Sequence, residues 1–216
     1  MKIEFTSLEE KYLEELVRIH RDTFKDHFNS KLGDFHTREY LKWFSKESSN
    51  ENFITCAIDR ETDTVVGYIC GARIGYQTDL NRKLIFPAIL GFLRNPLLLF
   101  DKRVKYFIIP KIRTLIGSKE FAKITEYEKK FPDPLFSVAS FGINPTIKGN
   151  MNLGLIILEN LYKEFFKEAR KRKAKTIRAT VRVDNKRIIE YYKLKKWELA
   201  PITESNNSIF FYKVID

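Results

Sequence analysis

The sequence predicts an α/β (α+β) fold in which strands alternate with helices, with a helical insertion between the third and fourth strands. Three features carry this expectation. Runs rich in β-branched residues at 52–58 and 64–73 are joined by the short charged link Asp59-Arg60-Glu61-Thr62-Asp63, as in an antiparallel hairpin. From 135 to about 173 a strand, a loop holding two glycines and a one-sided helix follow one another. Between these regions, 74–134 becomes an apolar and basic mixture interrupted by Pro87, Pro96 and Pro110, which reads as two or three short helices.

The remaining elements follow from local pattern. Residues 2–5 read as an edge strand, and Thr6 or Ser7 can cap a helix whose apolar positions Tyr12, Leu13, Leu16, Val17 and Ile19 keep helical spacing. A turn at Lys31-Leu32-Gly33-Asp34 precedes a second helical stretch at 37–44. The strand at 135–143 leads into the loop 144–154, and the next helix carries the stripe Ile157, Leu158, Leu161, Phe165 and Ala169, so one face packs on a sheet. Strand 175–183, helix 185–194 and a hairpin of 197–200 with 208–215 complete the chain.

Composition narrows the classes of function. The 216 residues carry 39 Lys and Arg against 28 Asp and Glu, a net charge of +11, and at 44% hydrophobic content they are no disordered polybasic tail. The length suits one domain, 1–216, carrying an insertion at about 76–132. Cys56 and Cys70 lie in strand-like runs and are too few to staple a secreted fold, while His20 and His27 lack the company of metal ligands. A reducing, cytoplasmic setting without a metal is therefore expected. The start, Met1-Lys2-Ile3-Glu4-Phe5, lacks the basic head and apolar run of a signal peptide. The apolar stretch 84–100 is broken by Pro87, Arg94 and Pro96, whereas a spanning helix needs about 20 nearly uncharged residues.

Chemistry concentrates in the loop after the 135–143 strand. First-turn N–H groups of a helix lack intrahelical partners and carry the positive end of the dipole, so a loop of Lys and Gly opening a helix suits a phosphate. Lys148, Gly149, Asn150, Asn152, Leu153 and Gly154 form such a loop, with Ile143 ending the strand before it. About thirty residues on, Asp184-Asn185 opens a helix that carries Tyr191 and Tyr192 in its last turns before Lys196-Trp197.

Together these stretches resemble the GCN5-related N-acetyltransferase (GNAT) superfamily. Its pyrophosphate-loop pattern, V-x-P-x-x-R/Q-G-x-G-x-G/A, is met by Ile143, Pro145, Lys148, Gly149, Asn152 and Gly154 with one residue inserted near Met151. Its later pattern, D-N-x-x-A-x-x-x-Y-x-x-x-G-F, is met by Asp184, Asn185, Ile188, Tyr192, Lys196 and Trp197. The departures are Lys148 for Arg or Gln, Asn152 for Gly, and Lys196 for Gly. About 155 of the 216 residues follow the family's order of elements, and the insertion stands outside it.

The resemblance implies a mixed, mostly antiparallel central sheet flanked by helices, and transfer of an acetyl group from acetyl-CoA, as cosubstrate, to a primary amine by direct attack. It implies that a backbone N–H near Ile143 polarises the thioester carbonyl, that the 148–154 loop and Asn185 bind the cofactor, and that Tyr192 is the general acid. A phenol with pKa near 10 is matched to protonating a thiolate without ionising at neutral pH. Tyr191 points about 100° away on the helix. The strand 135–141 offers no carboxylate base, which leaves that role to water or an entry-loop residue; Asp34 and His36 lie in the first inter-helix turn, where the resemblance implies an acceptor site, but they read as solvated. The stretch 20–33 and the run 93–99 resemble segments of a GNAT subgroup associated with glycan assembly, which implies an amino-sugar acceptor; peptide amines stay open.

Two other classes compete. The run Arg170-Lys171-Arg172-Lys173-Ala174-Lys175 suggests a nucleic-acid module, although cations equally suit a helix C-terminus and no nucleic acid is expected. Apolar bulk with basic edges at 84–116 suggests peripheral contact with the inner face of a membrane. The same segment reads equally as a lid or as a homodimer surface packed on the core.

Overall fold

A computed structural model describes residues 2–25, 27–45, 50–101, 126–147, 151–203 and 207–215. Seven strands form one sheet: β1 Ile3–Thr6, β2 Asn52–Asp59, β3 Thr64–Arg73, β4 Leu135–Ile143, β5 Thr176–Arg182, β6 Glu198–Thr203 and β7 Ser208–Val214, in the order β1-β2-β3-β4-β5-β7-β6. Only β4 and β5 run parallel, so the sheet is mixed and mostly antiparallel. The helices are α1 Leu13–Thr23, α2 Phe28–Lys31, α3 Asp34–Phe44, α4 Gln77–Arg94, α5 Met151–Lys171 and α6 Lys186–Leu194.

Both sheet faces are covered, which is why β2 and most of β3 are buried end to end instead of alternating. On one face α5 lays down the stripe read from sequence. Ile157, Leu161, Phe165 and Ala169 are fully buried against Phe53, Ile69, Phe136 and Ile177, and complete burial of a side chain such as Leu161 or Phe165 is worth roughly 1.5–3 kcal/mol. On the other face α1 and α3 bury Leu13, Leu16, Val17, Leu41 and Phe44 over Ile54, Cys56 and Tyr68.

Three sequence expectations change. Neither Thr6 nor Ser7 caps the first helix; a 3-10 turn over Glu10–Tyr12 leads into α1 without any side-chain cap. In place of short helices the described part of the insertion holds the 18-residue α4, which runs through Pro87, then a 3-10 turn over Pro96–Phe100; residues 102–125 lie outside the described residues. Proline removes one backbone donor, and the burial of Leu80, Leu84, Pro87, Ala88 and Gly91 on one side of α4 offsets that loss. Finally, α5 already begins at Met151, so Asn152, Leu153 and Gly154 are its first turn and not loop.

The pairing of β4 and β5 positions the site. They pair only over Leu135–Val138 and Thr176–Ala179, after which β4 follows β3 while β5 follows β7, and the sheet splits into a wedge. At that point β4 carries one extra residue: Ser140 faces Cys70 and Val138 faces Gly71, which leaves Ala139 opposite nothing. Such a bulge bends the strand and re-aims its backbone groups.

Candidate active site

A cavity of about 470 Å³ fills the wedge. One wall is backbone and side chains of β4 from Val138 to Phe141, and the facing wall is Ala179 to Arg182 of β5. Residues of α1, α2 and α3 close one side, and Asn185, Ile188 and Tyr192 of α6 close another. Beyond Val138 the β5-facing edge of β4 has no strand partner, so its backbone groups are available to whatever lies in the wedge.

Tyr192 is 1% exposed and lines this cavity. Its ring is held by Phe211, stacked at 5.1 Å, and by Trp197 at 4.7 Å, while its hydroxyl meets the hydroxyl of Tyr162 in a hydrogen bond. Tyr162, buried on α5, is not among the residues that line the cavity, so the second phenol backs the first. Burial pushes the Tyr192 pKa well up, with the Tyr162 hydrogen bond acting against that rise and the neighbouring Tyr191 adding to it. Tyr162 is likewise raised, by its own burial and by Tyr192. Tyr191 is half-buried, does not line the cavity, and is pushed up to about 12 by burial and by Glu159.

Asn185 does what its place before a helix suggests: its Oδ1 accepts from the Ile188 N–H at 3.4 Å, capping α6, and its exposed side chain also borders the cavity. Ile143 does not come to the cavity. It pairs with Gly67 at the end of β4, and the cavity instead meets that strand around the bulge at Ala139. Asn144 then turns the chain, donating from Nδ2 to the Val65 carbonyl at 2.8 Å and accepting from the Thr146 N–H at 3.1 Å. Lys148, Gly149 and Asn150 lie outside the described residues. In the first turn of α5, Asn152 is exposed, Leu153 packs on the core, and a Cβ placed on Gly154 would meet nothing within 4 Å.

The first helices supply residues that the sequence left solvated or without a role. All three histidines of the chain, His20, His27 and His36, line the one cavity. His36 is 2% exposed on α3, not solvated in a turn, whereas Asp34 is exposed and pairs with Arg21 outside the cavity. His20 Nδ1 lies 2.5 Å from the Tyr68 hydroxyl, and burial, with smaller repulsion from His27 and His36, lowers its pKa to about 3. His27 is exposed and stands edge-on to Phe24 at 5.1 Å. Tyr40 donates to Ser140 Oγ at 3.1 Å. The buried hydroxyl oxygens of Thr23 and Ser30, both in the cavity wall, have no hydrogen-bond partner among the described residues. Among those residues no group of three or more His, Cys, Asp or Glu is placed to hold a metal ion.

Two cations of the basic run at the end of α5 are paired locally. Lys171 and Arg172 both pair with Glu168, at 2.6 and 2.7 Å, and the Arg172 guanidinium lies over the Phe53 ring.

The sheet is thus split between parallel β4 and β5, with a crossing helix on one face and a tyrosine from the following helix at the split. No protein-family model and no curated protein matches the sequence. The chain is similar in structure to NAA60 of Arabidopsis thaliana in complex with a bisubstrate analogue, at 14% identity and TM-score 0.57, covering 100% of this chain and 99% of that one. The same enzyme in complex with acetyl-CoA matches at TM-score 0.57 and 14% identity over 99% of both chains. A GNAT-family acetyltransferase from Staphylococcus aureus matches at 11% identity and TM-score 0.56 over 100% of both. The chain has the GNAT fold.

Proposed function

We propose that the protein is an acetyl-CoA-dependent N-acetyltransferase whose whole chain works as one domain. The observation that carries this reading is the wedge between β4 and β5, with the Tyr192 phenol in its wall and a second phenol behind it. The first turn of α5 fits a pyrophosphate: it has no acidic residue, and Gly154 faces open space although glycine costs about 1 kcal/mol against alanine inside a helix. Loop residues Lys148, Gly149 and Asn150 precede that turn in sequence, and Asn185 borders the wedge from the other side. Acetyl-CoA, when bound, supplies an activated acyl group.

The chain's residues then divide the work. The unpartnered edge of β4, from the Ala139 bulge toward Ile143, offers backbone N–H groups to the thioester oxygen. An amine nitrogen forms a bond to the carbonyl carbon as the carbon–sulfur bond breaks; the amine loses one proton and the sulfur gains one. Tyr192 returns the proton to sulfur. In this reading Tyr162 is the donor of the hydroxyl pair, which leaves the Tyr192 hydrogen directed at the cavity and steadies the charge that develops on the Tyr192 oxygen. His20, neutral down to about pH 3, is a poor proton acceptor, so the exposed His27 takes the amine's proton and passes it to water.

For the acceptor, the unsatisfied hydroxyls of Thr23 and Ser30 and the nearby Asn29 and Thr37 make a wall suited to a polyhydroxylated amine, which favours an amino sugar over an alkyl polyamine. Support for the activity comes from the neighbour of the same fold in complex with acetyl-CoA. The test is thiol release from acetyl-CoA with amino sugars, polyamines, amino acids and peptides as acceptors. Release with none of them, together with no rise in melting midpoint on adding acetyl-CoA, would remove the reading.

A further inference from the structure

The acceptor wall of the cavity is built from the first helices, and α2 is the one least able to hold its own place. It has four residues, Phe28–Lys31, and no side chain caps its start at His27. A helix that short is not stable by itself in water, so its position is set by what it packs against. Its residues divide between two surroundings. Asn29 and Ser30 line the cavity, and His27, which also lines it, precedes them at the cap position. Phe28, together with Leu32 just past the last turn, is buried the other way against Ala88, Phe92 and Leu98.

Those three partners belong to α4 and to the 3-10 turn over Pro96–Phe100, the described part of the insertion. The Phe28 and Phe92 rings lie 5.9 Å apart, and Lys31 pairs at 3.1 Å with Asp101, the residue that ends the turn. At Gly91 the backbones themselves meet: a Cβ there would stand 2.6 Å from the Leu32 carbonyl oxygen and 3.0 Å from the Leu32 Cβ. Helix α4 has a seat of its own, since Leu80 and Leu84 are buried in one core with Leu41 and Trp43 of α3. The 18-residue helix therefore dictates where the four-residue helix lies. The opposite half of the cavity takes no part in this packing, because none of the residues that seat α2 belongs to the core that holds Tyr192.

We propose that α4 and its 3-10 turn are the scaffold of the acceptor wall, with Gly91 and Phe92 as positioning residues that act through α2 on His27, Asn29 and Ser30. That this wall binds an acceptor rests on the acetyltransferase reading; that α4 seats α2 does not. A displaced α2 carries the acceptor contacts and the proton acceptor with it and leaves the cofactor side in place. Misplacement by about 1 Å can cost a reaction ~10²-fold.

Three variants of the full chain test the coupling. Gly91→Ala drives a methyl group into the Leu32 backbone while favouring α4 as a helix, so α2 is the element that gives way. Phe92→Ala withdraws packing from Phe28, and Phe92→Leu, which keeps most of the volume, is the conservative control. Hydrogen exchange read by mass spectrometry without ligand should be at least ~10-fold faster at residues 27–33 in both alanine variants, with 151–171 and 186–194 unchanged and Phe92→Leu close to wild type. On the best acceptor found, kcat/KM for the acceptor should fall at least ~10-fold in both alanine variants and be restored in Phe92→Leu, while acetyl-CoA affinity by calorimetry stays within about 2-fold of wild type. Unchanged exchange at 27–33 in both alanine variants would overturn the proposal. So would acetyl-CoA affinity falling in step with the acceptor's kcat/KM, which would make the effect a general loosening of the fold. The exchange measurement needs no substrate, so it decides the coupling even where wild type turns over no acceptor, a result that would count against the acetyltransferase reading alone.

Discussion

Acidification from pH 7 to pH 5 should destabilise the protein through one buried ring. In the unfolded chain His20 takes up a proton near pH 6.5, whereas in the folded chain burial beside Tyr68 delays protonation to about pH 3. The stability that neutral His20 contributes is therefore complete above pH 6.5 and is lost as pH falls from there toward 3. The slope is about 1.4 kcal/mol per pH unit, which gives about 2 kcal/mol at pH 5. For a domain of this size that loss lowers the melting midpoint by about 4 to 8 °C. The assay is urea unfolding of wild type and His20→Gln at pH 7, 6 and 5. Carboxylates held low by neighbours, such as Glu14 beside Arg38 and Glu168 beside Lys171 and Arg172, titrate alike in both proteins, so the difference between the two slopes isolates His20. Parallel slopes would refute the burial argument, and with it the reason for excluding His20 as the base.

Three further outcomes follow from the proposed site. Tyr162→Phe should lower turnover about 10-fold with acetyl-CoA affinity unchanged, the loss shrinking for acetyl thioesters with more acidic thiols, while Tyr191→Phe leaves turnover close to wild type. Gly154→Ala should raise stability by up to about 1 kcal/mol in urea unfolding, since its Cβ enters open space, yet weaken acetyl-CoA binding measured by calorimetry; unchanged binding would place the pyrophosphate elsewhere. His27→Gln should reduce kcat/KM at pH 7 and recover above the pKa of the acceptor amine, where the amine sheds its own proton, and a deficit constant with pH would remove His27 as the base.

How much of this was legible depended on whether the signal was local. The β3 and β4 boundaries, the α5 stripe and the five apolar positions of the first helix were readable because period and burial coincide in each. The resemblance to GNAT proteins likewise rested on two short stretches; of the residues it singled out, Asn185 and Tyr192 line one cavity and Ile143 does not line it. The length of α4 was hidden because Pro87 signals a break that packing on α2 and α3 overrides. The histidine cluster had no sequence signature: His20, His27 and His36 sit on or beside three different helices, and only the way those helices pack over β4 gathers them. Tyr162 carried no signal in the sequence: its partner lies 30 residues away on another helix, and no periodicity links the two.

Acetyl transfer from acetyl-CoA by Tyr192→Phe, compared with wild type on the best acceptor found, tests the central claim most directly. The substitution removes one hydroxyl from a ring already held by Phe211 and Trp197, so the fold and acetyl-CoA affinity should persist. Turnover should fall by about 10² to 10⁴, the range for a positioned general acid. Unchanged turnover would contradict the account, and so would a parallel loss of acetyl-CoA binding, which would make Tyr192 a packing residue alone.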